Sequence, residues 1–109
     1  MKVAIIGSRS ITDYDLTPHI PPETTEILSG GARGVDTLAR LWAQAHSLPC
    51  TELRPDYPRY GRSAPLKRNI LLVQSSDLVL AIWDGASRGT AFTIAECQRQ
   101  GKHCIVIRT

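Results

Sequence analysis

The stretch SGGARGVD, residues 29–36, decides the organisation of the chain. An apolar run at 26–28 leads into it, and apolar residues at helical spacing follow it. Three glycines within five residues let the backbone turn sharply and approach a ligand with no Cβ in the way. A helix beginning near Gly34 would direct its unpaired N–H groups and the positive end of its dipole at the same place, which favours a bound phosphate. The alternative is a plain strand-to-helix turn that requires small residues, and this stretch alone does not decide between the two.

Apolar runs alternate with helical patterns along the rest of the chain. Strands are predicted at 2–6, 24–28, 49–53, 77–83 and 103–107, and helices at 34–46, from 64 or 65 to 75, and at 90–100. Asp13 is a candidate N-cap for a further short helix, which Pro18, Pro21 and Pro22 would stop. Near-continuous apolar strands are typical of a parallel sheet covered by helices on both faces. The predicted fold class is α/β: a single Rossmann-like three-layer α/β/α domain, residues 1–109, with a five-stranded, mainly parallel sheet.

Size and composition restrict the class of protein. With 109 residues, 42% of them hydrophobic and 21% charged, the chain suits one globular domain. No apolar run reaches the length of a membrane span, and the first is too short for a signal peptide, so a cytoplasmic location is predicted. Cys50, Cys97 and Cys104 show no CxxC spacing, which argues against a disulfide framework and against a zinc site. The net charge of +3 permits an anionic partner without requiring nucleic acid.

The residues that follow the strands carry most of the functional information, because ligands of doubly wound sheets bind outside the carboxyl ends of the strands. The first predicted strand delivers Gly7, Ser8 and Arg9 to that edge, the second delivers 29–36, and the fourth delivers the turn DGASRGT at 84–90. Seven of the thirteen basic residues also fall there: Arg9, Arg33, Arg59, Arg62, Lys67, Arg68 and Arg88. Glycines, hydroxyls and arginines together supply the N–H donors and guanidinium forks that phosphate recognition uses.

Other features of the sequence are less specific. A loop predicted at 54–62 contains two tyrosines and four charged residues, and loops of that length within a compact domain are usually functional. There is no GxGxxG fingerprint, no Walker A lysine motif and no GxSxG elbow. Glu96 lies two turns into the last predicted helix, where only unusual geometry would bring it to the edge.

Four motifs, in this order and on matching elements, resemble the SLOG superfamily. They are Gly7-Ser8-Arg9, the stretch 29–36, Arg68-Asn69 and the turn at 84–90. This superfamily includes the Smf/DprA DNA-processing proteins and the Lonely Guy nucleotide hydrolases, and the chain is most similar to its small stand-alone YspA-like members. The resemblance implies a Rossmann-like fold and a site for a nucleotide-derived ligand, such as one related to ADP-ribose or NAD. It also implies a homodimer or higher homo-oligomer, and no required cofactor.

One position departs from the Lonely Guy pattern. Those hydrolases have a PGGxGTxxE motif, whose glutamate works with an arginine to cleave an N-glycosidic bond. Here Gly89-Thr90 keeps the GT and Arg68 matches the arginine, but Thr93 stands where the glutamate would be. A threonine cannot supply the carboxylate that such chemistry needs. Asp84, at the proline's position, is the remaining candidate carboxylate, so Arg68 and Asp84 are the candidate catalytic residues if the protein is an enzyme.

The favoured interpretation is a sensor or ligand-regulated module that binds a nucleotide-derived phosphate ligand. The alternatives are a nucleotide hydrolase of the Lonely Guy type and a protein that binds single-stranded DNA as the DNA-processing protein A family does. The candidate ligand-binding residues are Gly7, Ser8, Arg9, Gly30, Gly31, Arg33, Gly34, Asp36, Arg68, Asn69, Asp84, Gly85, Ser87, Arg88, Gly89 and Thr90.

Overall fold

The computed structural model describes all 109 residues, in which strands and helices alternate along the chain. The strands are β1 (Lys2–Gly7), β2 (Glu26–Ser29), β3 (Cys50–Glu52), β4 (Leu78–Trp83) and β5 (Cys104–Arg108). The α-helices are α1 (Val35–Ala45), α2 (Tyr57–Tyr60), α3 (Ala64–Ser75) and α4 (Arg88–Gln100), with single 3₁₀ turns at Thr17–His19 and Gly61–Ser63. No helix is both long and apolar enough to cross a membrane.

The five strands form one sheet in the order β3-β2-β1-β4-β5, and every neighbouring pair is parallel. The chain therefore builds outward from β1 in one direction, then crosses back and builds outward through β4 in the other. This is the strand order of a doubly wound sheet, and its direction reverses between β1 and β4. The predicted Rossmann-like three-layer fold is confirmed.

The sheet buries a separate hydrophobic cluster on each face. Because side chains alternate along a strand, β1 sends Val3 and Ile5 to one face and Ala4 and Ile6 to the other. The first face packs against α1, and the second packs against α3 and α4. The sheet is thus covered by one helix on one face and by two on the other. Because β1, β2 and β4 are parallel, the turns that follow them lie at the same edge of the sheet.

Two predictions about the segments between strands are wrong. Asp13 does not cap a helix: the segment holds only the 3₁₀ turn Thr17–His19, and Asp15 Oδ1 accepts the Thr17 N–H at 3.0 Å. Pro18 lies inside that turn, because the first turn needs no N–H from it, whereas Pro21 and Pro22 follow the end of the turn. The predicted loop at 54–62 contains α2, which Asp56 caps by accepting the Arg59 N–H at 3.2 Å. A local capping carboxylate thus orders part of a segment that has no helical apolar pattern.

Candidate functional site

A cleft of about 360 Å³ opens at the carboxyl ends of the strands, where the strand order reverses between β1 and β4. Its walls come from the turns after β1, β2 and β4 and from the N-terminal halves of α3 and α4. Nine of the sequence-predicted ligand-binding residues line it: Gly7, Arg9, Asp36, Arg68, Asn69, Asp84, Ser87, Gly89 and Thr90. Seven do not: Ser8, Gly30, Gly31, Arg33, Gly34, Gly85 and Arg88. Ser8, Gly30 and Gly34 pack closely against neighbouring residues, and Arg33 and Arg88 are exposed.

Gly7 and Ser8 join the ends of β1 and β4 beneath the cleft. A Cβ on Gly7 would lie 2.6 Å from Val35 Cγ2, so only glycine lets the strand end pass this closely under α1. Ser8 is fully buried, and its hydroxyl accepts the Asp84 N–H at 3.0 Å. Its own N–H donates to the Ile82 carbonyl at 3.1 Å. These contacts hold the end of β1 against the end of β4 at the base of the cleft.

Backbone N–H groups of the β2–α1 turn donate hydrogen bonds within the chain. The Ala32 N–H donates to Asp36 Oδ2 at 3.1 Å, and the Val35 N–H donates to the Ser8 carbonyl at 3.3 Å. Gly34, the residue before α1, has φ +76°, and a Cβ there would lie 2.5 Å from the Ser8 carbonyl oxygen. This glycine is therefore required by the packing of one loop on another, as the plain-turn interpretation of the sequence expected.

Gly30 and Gly31 make room for side chains rather than for a ligand. A Cβ on Gly30 would lie 2.5 Å from Arg68 Nη1 and 2.9 Å from Asp36 Oδ2. A Cβ on Gly31, which has φ +73°, would lie 2.7 Å from Glu52 Oε2. The turn thus fits closely around two charged side chains that line the cleft, Arg68 and Asp36.

Arg68 ties α3 to the ends of β2 and β3. Its Nη1 donates to the carbonyls of Gly30, at 2.5 Å, and Leu53, at 3.3 Å, while its Nε donates to Asn69 Oδ1 at 2.7 Å. Burial lowers the pKa of the guanidinium from its ordinary value, and the nearby Asp36 carboxylate opposes that shift. An arginine keeps its charge under such shifts. Arg68 therefore supports the cleft and also brings a positive charge to its wall.

Asp36 is the second residue of α1, and its Oδ2 and the Arg68 guanidinium both lie close to Gly30. The side chain is 8% exposed, and burial raises the pKa of its carboxyl above the usual value. The N–H of Ala32 partly offsets that shift by donating to Oδ2. No ion pair within 4 Å joins Asp36 to Arg68. The cleft therefore contains a carboxylate that is mostly buried and only partly satisfied.

Asp84 organises the β4–α4 turn. Its Oδ2 accepts the Ser10 hydroxyl at 2.7 Å, and its Oδ1 accepts the N–H groups of Ala86 and Ser87, both at 2.8 Å. The Ser10 hydrogen bond, followed by the two backbone donors, holds the pKa of Asp84 well below its usual range. A carboxylate with three donors in place is a structural anchor and a weak base.

The first turn of α4 presents free backbone donors to the cleft. Ser87 is the N-cap, and its Oγ lies 3.4 Å from the Thr90 N–H that it accepts and 3.1 Å from Thr90 Oγ1. The N–H groups of Arg88 and Gly89 have no acceptor within the helix, because the first turn of any helix lacks one. A Cβ on Gly89 would meet nothing within 4 Å. A ligand can therefore approach this helix end closely, where the helix dipole favours an anion.

The remaining basic residues divide between the cleft and the surface. Arg9 lines the cleft, is exposed and makes no hydrogen bond within the chain. Arg59 and Lys67 lie against the ring of Tyr60, at 5.1 Å and 5.9 Å from its centroid. Exposed surface positions hold Arg33, Arg62 and Arg88. Of the seven basic residues predicted at this edge, only Arg9 and Arg68 line the cleft.

Three residues that sequence reasoning missed support the β4–α4 turn. Ser10 anchors Asp84 and also lines the cleft. The Trp83 indole Nε1 donates to the Ser87 carbonyl at 3.1 Å, and Arg108 lies 5.6 Å from the Trp83 ring centroid. Ser10 directly follows the Gly7–Arg9 motif, and Arg108 is the last residue of β5. Their positions near the carboxyl ends of strands could have identified both from the sequence.

Thr93 lies in the cleft wall, and Glu96 lies outside it. The Thr93 hydroxyl donates to the Gly89 carbonyl at 2.9 Å within α4, and the side chain is 1% exposed. Glu96 pairs with Arg99, whose Nε lies 2.7 Å from Glu96 Oε2, and it does not line the cleft. No three of the His, Cys, Asp and Glu side chains come together in a way that could hold a metal ion.

The fold and the cleft define a Rossmann-type α/β domain with a cleft at the switch point of its sheet. A family model described as YAcAr, the YspA, cpYpsA-related SLOG family, matches residues 1–60. The Gene 61 protein of Mycobacterium phage D29 is 33% identical over 113 residues, which cover 92% of this chain and 90% of the phage protein. The chain belongs to the YspA, cpYpsA-related SLOG family. No solved structure gives a significant match.

Proposed function

We propose that the cleft binds a nucleotide or nucleotide-derived phosphate ligand, and that the protein acts as a sensor or ligand-regulated module. The observation that carries this proposal is the meeting, in one cleft at the switch point, of Arg9, Arg68 and the open first turn of α4. The family membership supports a nucleotide-related ligand in general terms.

The phosphate fits best at the first turn of α4. The N–H groups of Arg88 and Gly89 are free there, whereas the β2–α1 turn donates Ala32 and Val35 N–H groups to acceptors of the chain. Arg9 has no internal partner, so its guanidinium is available to pair with a phosphate. Of the two turns that the sequence offers for the phosphate, 29–36 and 84–90, the proposal therefore favours the second.

The size of the cleft favours a compact ligand. A volume of about 360 Å³ is at the lower end of the range of roughly 300–1,000 Å³ for small-molecule sites. A single nucleotide suits such a cleft better than an extended dinucleotide. The ADP-ribose or NAD-related ligand predicted from the resemblance stays a prediction, and the binding experiment includes both compounds.

Binding is tested by thermal shift and calorimetry with AMP, cyclic AMP, ADP-ribose and NAD. A ligand present at a hundredfold its Kd adds about 2.7 kcal/mol of stability, which corresponds to roughly 10 °C or more in Tm for a domain of this size. Arg9→Ala is expected to weaken binding about tenfold or more, because it removes a charge-assisted hydrogen bond. The variant should melt as the wild type does, since Arg9 makes no hydrogen bond within the chain.

Arg62→Ala is the matched control, because Arg62 is exposed and does not line the cleft. It removes the same charge at the same end of the molecule and should leave the Kd unchanged. Equal losses in both variants would show that only the general positive charge matters. The absence of a shift with every nucleotide would refute the proposed function.

Hydrolysis stays a prediction from the resemblance. The low pKa of Asp84 makes it a poor general base, and Thr93 carries no carboxylate, so neither residue favours the reaction. Chromatography of AMP and NAD after incubation with the protein would reveal cleavage. Binding of single-stranded DNA and the homodimer also stay predictions, to be tested by gel shift at two salt concentrations and by sedimentation equilibrium.

A further inference from the structure

Asp36 has one carboxylate oxygen without a partner. The side chain is 8% exposed and lines the cleft, and its only hydrogen bond is the one that Oδ2 accepts from the Ala32 N–H at 3.1 Å. No fully buried polar side-chain atom of the chain lacks a hydrogen-bond partner, so Oδ1 must keep access to the cleft. An ionised carboxylate oxygen only accepts hydrogen bonds, so Asp36 needs a donor from a bound molecule or from water.

The surroundings of Asp36 do not supply that donor. Arg68 is the nearest cation, but its Nη1 donates to the Gly30 and Leu53 carbonyls and forms no ion pair with Asp36 within 4 Å. Burying a carboxylate is unfavourable unless hydrogen bonds compensate it. The turn nevertheless holds this carboxylate in place, since the Ala32 N–H fixes Oδ2 and leaves Oδ1 free.

The position of Asp36 in the fold indicates what the donor is. In doubly wound sheets that bind nucleotides, a phosphate lies at a helix N-terminus, and an acidic residue associated with the second strand accepts a ribose hydroxyl. Asp36 follows β2 and lines the same cleft as the first turn of α4, where the phosphate is proposed. The other carboxylate of the cleft, Asp84, fits this role less well, because Ser10, Ala86 and Ser87 already donate three hydrogen bonds to it.

We propose that Asp36 accepts a hydrogen bond from the ribose hydroxyls of the ligand, and that the cleft therefore selects ribonucleotides over nucleotides that lack these hydroxyls. This inference rests on the proposed function, because it names the sugar of the same ligand. A missing hydroxyl leaves the buried acceptor unpaired, which sites built for hydrogen bonding reject strongly.

The test compares ribonucleoside 5′-monophosphates of the four bases with their 2′,3′-dideoxy counterparts by calorimetry. Wild-type protein is expected to bind the ribose compound about tenfold or more tightly than its dideoxy counterpart, as a charge-assisted hydrogen bond predicts. Asp36→Asn keeps the shape and an acceptor for the Ala32 N–H, and it should lower that ratio to about two or less. Asp13→Asn makes the same chemical change at an exposed position outside the cleft and should keep the wild-type ratio.

The outcomes separate the two proposals. Equal affinity of the wild type for both series would overturn the role of Asp36 while the proposed function stands. Binding of neither series would overturn the role of Asp36, and if cyclic AMP, ADP-ribose and NAD also fail to bind, the proposed function falls with it. The wild-type ratio decides the first question without any variant, so an Asp36→Asn protein that fails to fold does not remove the test.

Discussion

The β2–α1 turn at 29–36 and the β4–α4 turn at 84–90 carry similar sequences across the same edge of the sheet, but they present different chemistry. Each contains one aspartate and an Arg-Gly pair, which directly precedes α1 in the first turn and begins α4 in the second. In the first, Gly34 is itself the residue before the helix, at φ +76°, and packs on the backbone of the β1 loop. In the second, Ser87 is the N-cap, and Gly89 already belongs to the helix with open space around it.

A shift of the Arg-Gly pair relative to the helix start thus changes what the glycine does. At position 34, glycine permits a close approach of two loops, and the N–H groups of Gly31, Ala32 and Val35 donate inside the chain. At position 89, glycine leaves a helix end open to a ligand. The two aspartates differ as well, since Asp36 is buried with one oxygen unpaired and Asp84 accepts three hydrogen bonds.

The largest expected effect that tests this comparison is the loss of stability in Gly34→Ala. The substitution forces a side chain into a backbone conformation that L residues rarely adopt and places a Cβ 2.5 Å from the Arg9 Cα and the Ser8 carbonyl oxygen. Strain of about 1–3 kcal/mol and the backbone collision together predict a loss of about 3 kcal/mol or more in the free energy of unfolding. Urea denaturation followed by circular dichroism measures it. A loss below 1 kcal/mol would show that the turn can move away from the β1 loop.

Local sequence patterns predict the fold, but they do not predict which turn packs inside the chain and which leaves N–H groups free for a ligand. Apolar runs mark β1, β2, β4 and β5, and parallel pairing brings the ends of all five strands to one edge whatever the turns contain. The start of α4 at Arg88, two residues before the predicted start, depends on the Ser87 cap and on the Trp83 indole that donates to the Ser87 carbonyl. These contacts join side chains and backbone across the turn, and no apolar periodicity encodes them.

The candidate site was predictable as a place but not as a set of contacts. The motifs that follow β1, β2 and β4 locate the edge, and nine predicted residues line one cleft there. The sequence could not show that Arg68 donates to the Gly30 and Leu53 carbonyls, because that contact needs the ends of β2 and β3 to be side by side. Nor could it show that Asp84 is occupied by Ser10, which lies 74 positions earlier in the chain.

The two aspartates should respond to pH with opposite signs. The pKa of Asp84 is below its ordinary 3.8 in the folded protein, so the ionised form stabilises the fold above that pH, and this contribution is lost as pH falls through the folded pKa. The pKa of Asp36 is above 3.8, so its ionised form opposes folding at neutral pH, and this cost disappears as pH falls through the raised value. Asp84→Asn is therefore expected to destabilise the protein at pH 7, and Asp36→Asn to stabilise it.

The differences in stability between the wild type and each variant should shrink as the pH falls. The difference for Asp36→Asn should shrink at a higher pH than the difference for Asp84→Asn. Thermal unfolding of the wild type and the two variants between pH 3 and pH 8 measures them. Asp13→Asn, at an exposed carboxylate, corrects for the general effect of removing one negative charge. Stability losses of the same sign and pH profile in both variants would show that the two turns do not place their carboxylates in contrasting environments.

The smallest expected change in stability is in Gly89→Ala, where affinity and stability should move in opposite directions. Alanine in the first turn of α4 meets nothing within 4 Å, and replacing glycine in a helix stabilises it by about 0.5–1 kcal/mol. The same methyl group stands where a phosphate would approach the free N–H groups, so nucleotide affinity should fall severalfold or more. Gln98→Ala, at an exposed position of the same helix away from the cleft, should leave the affinity unchanged. A more stable variant that binds as the wild type does would place the phosphate elsewhere in the cleft, because only close approach to this helix end makes the methyl group an obstacle.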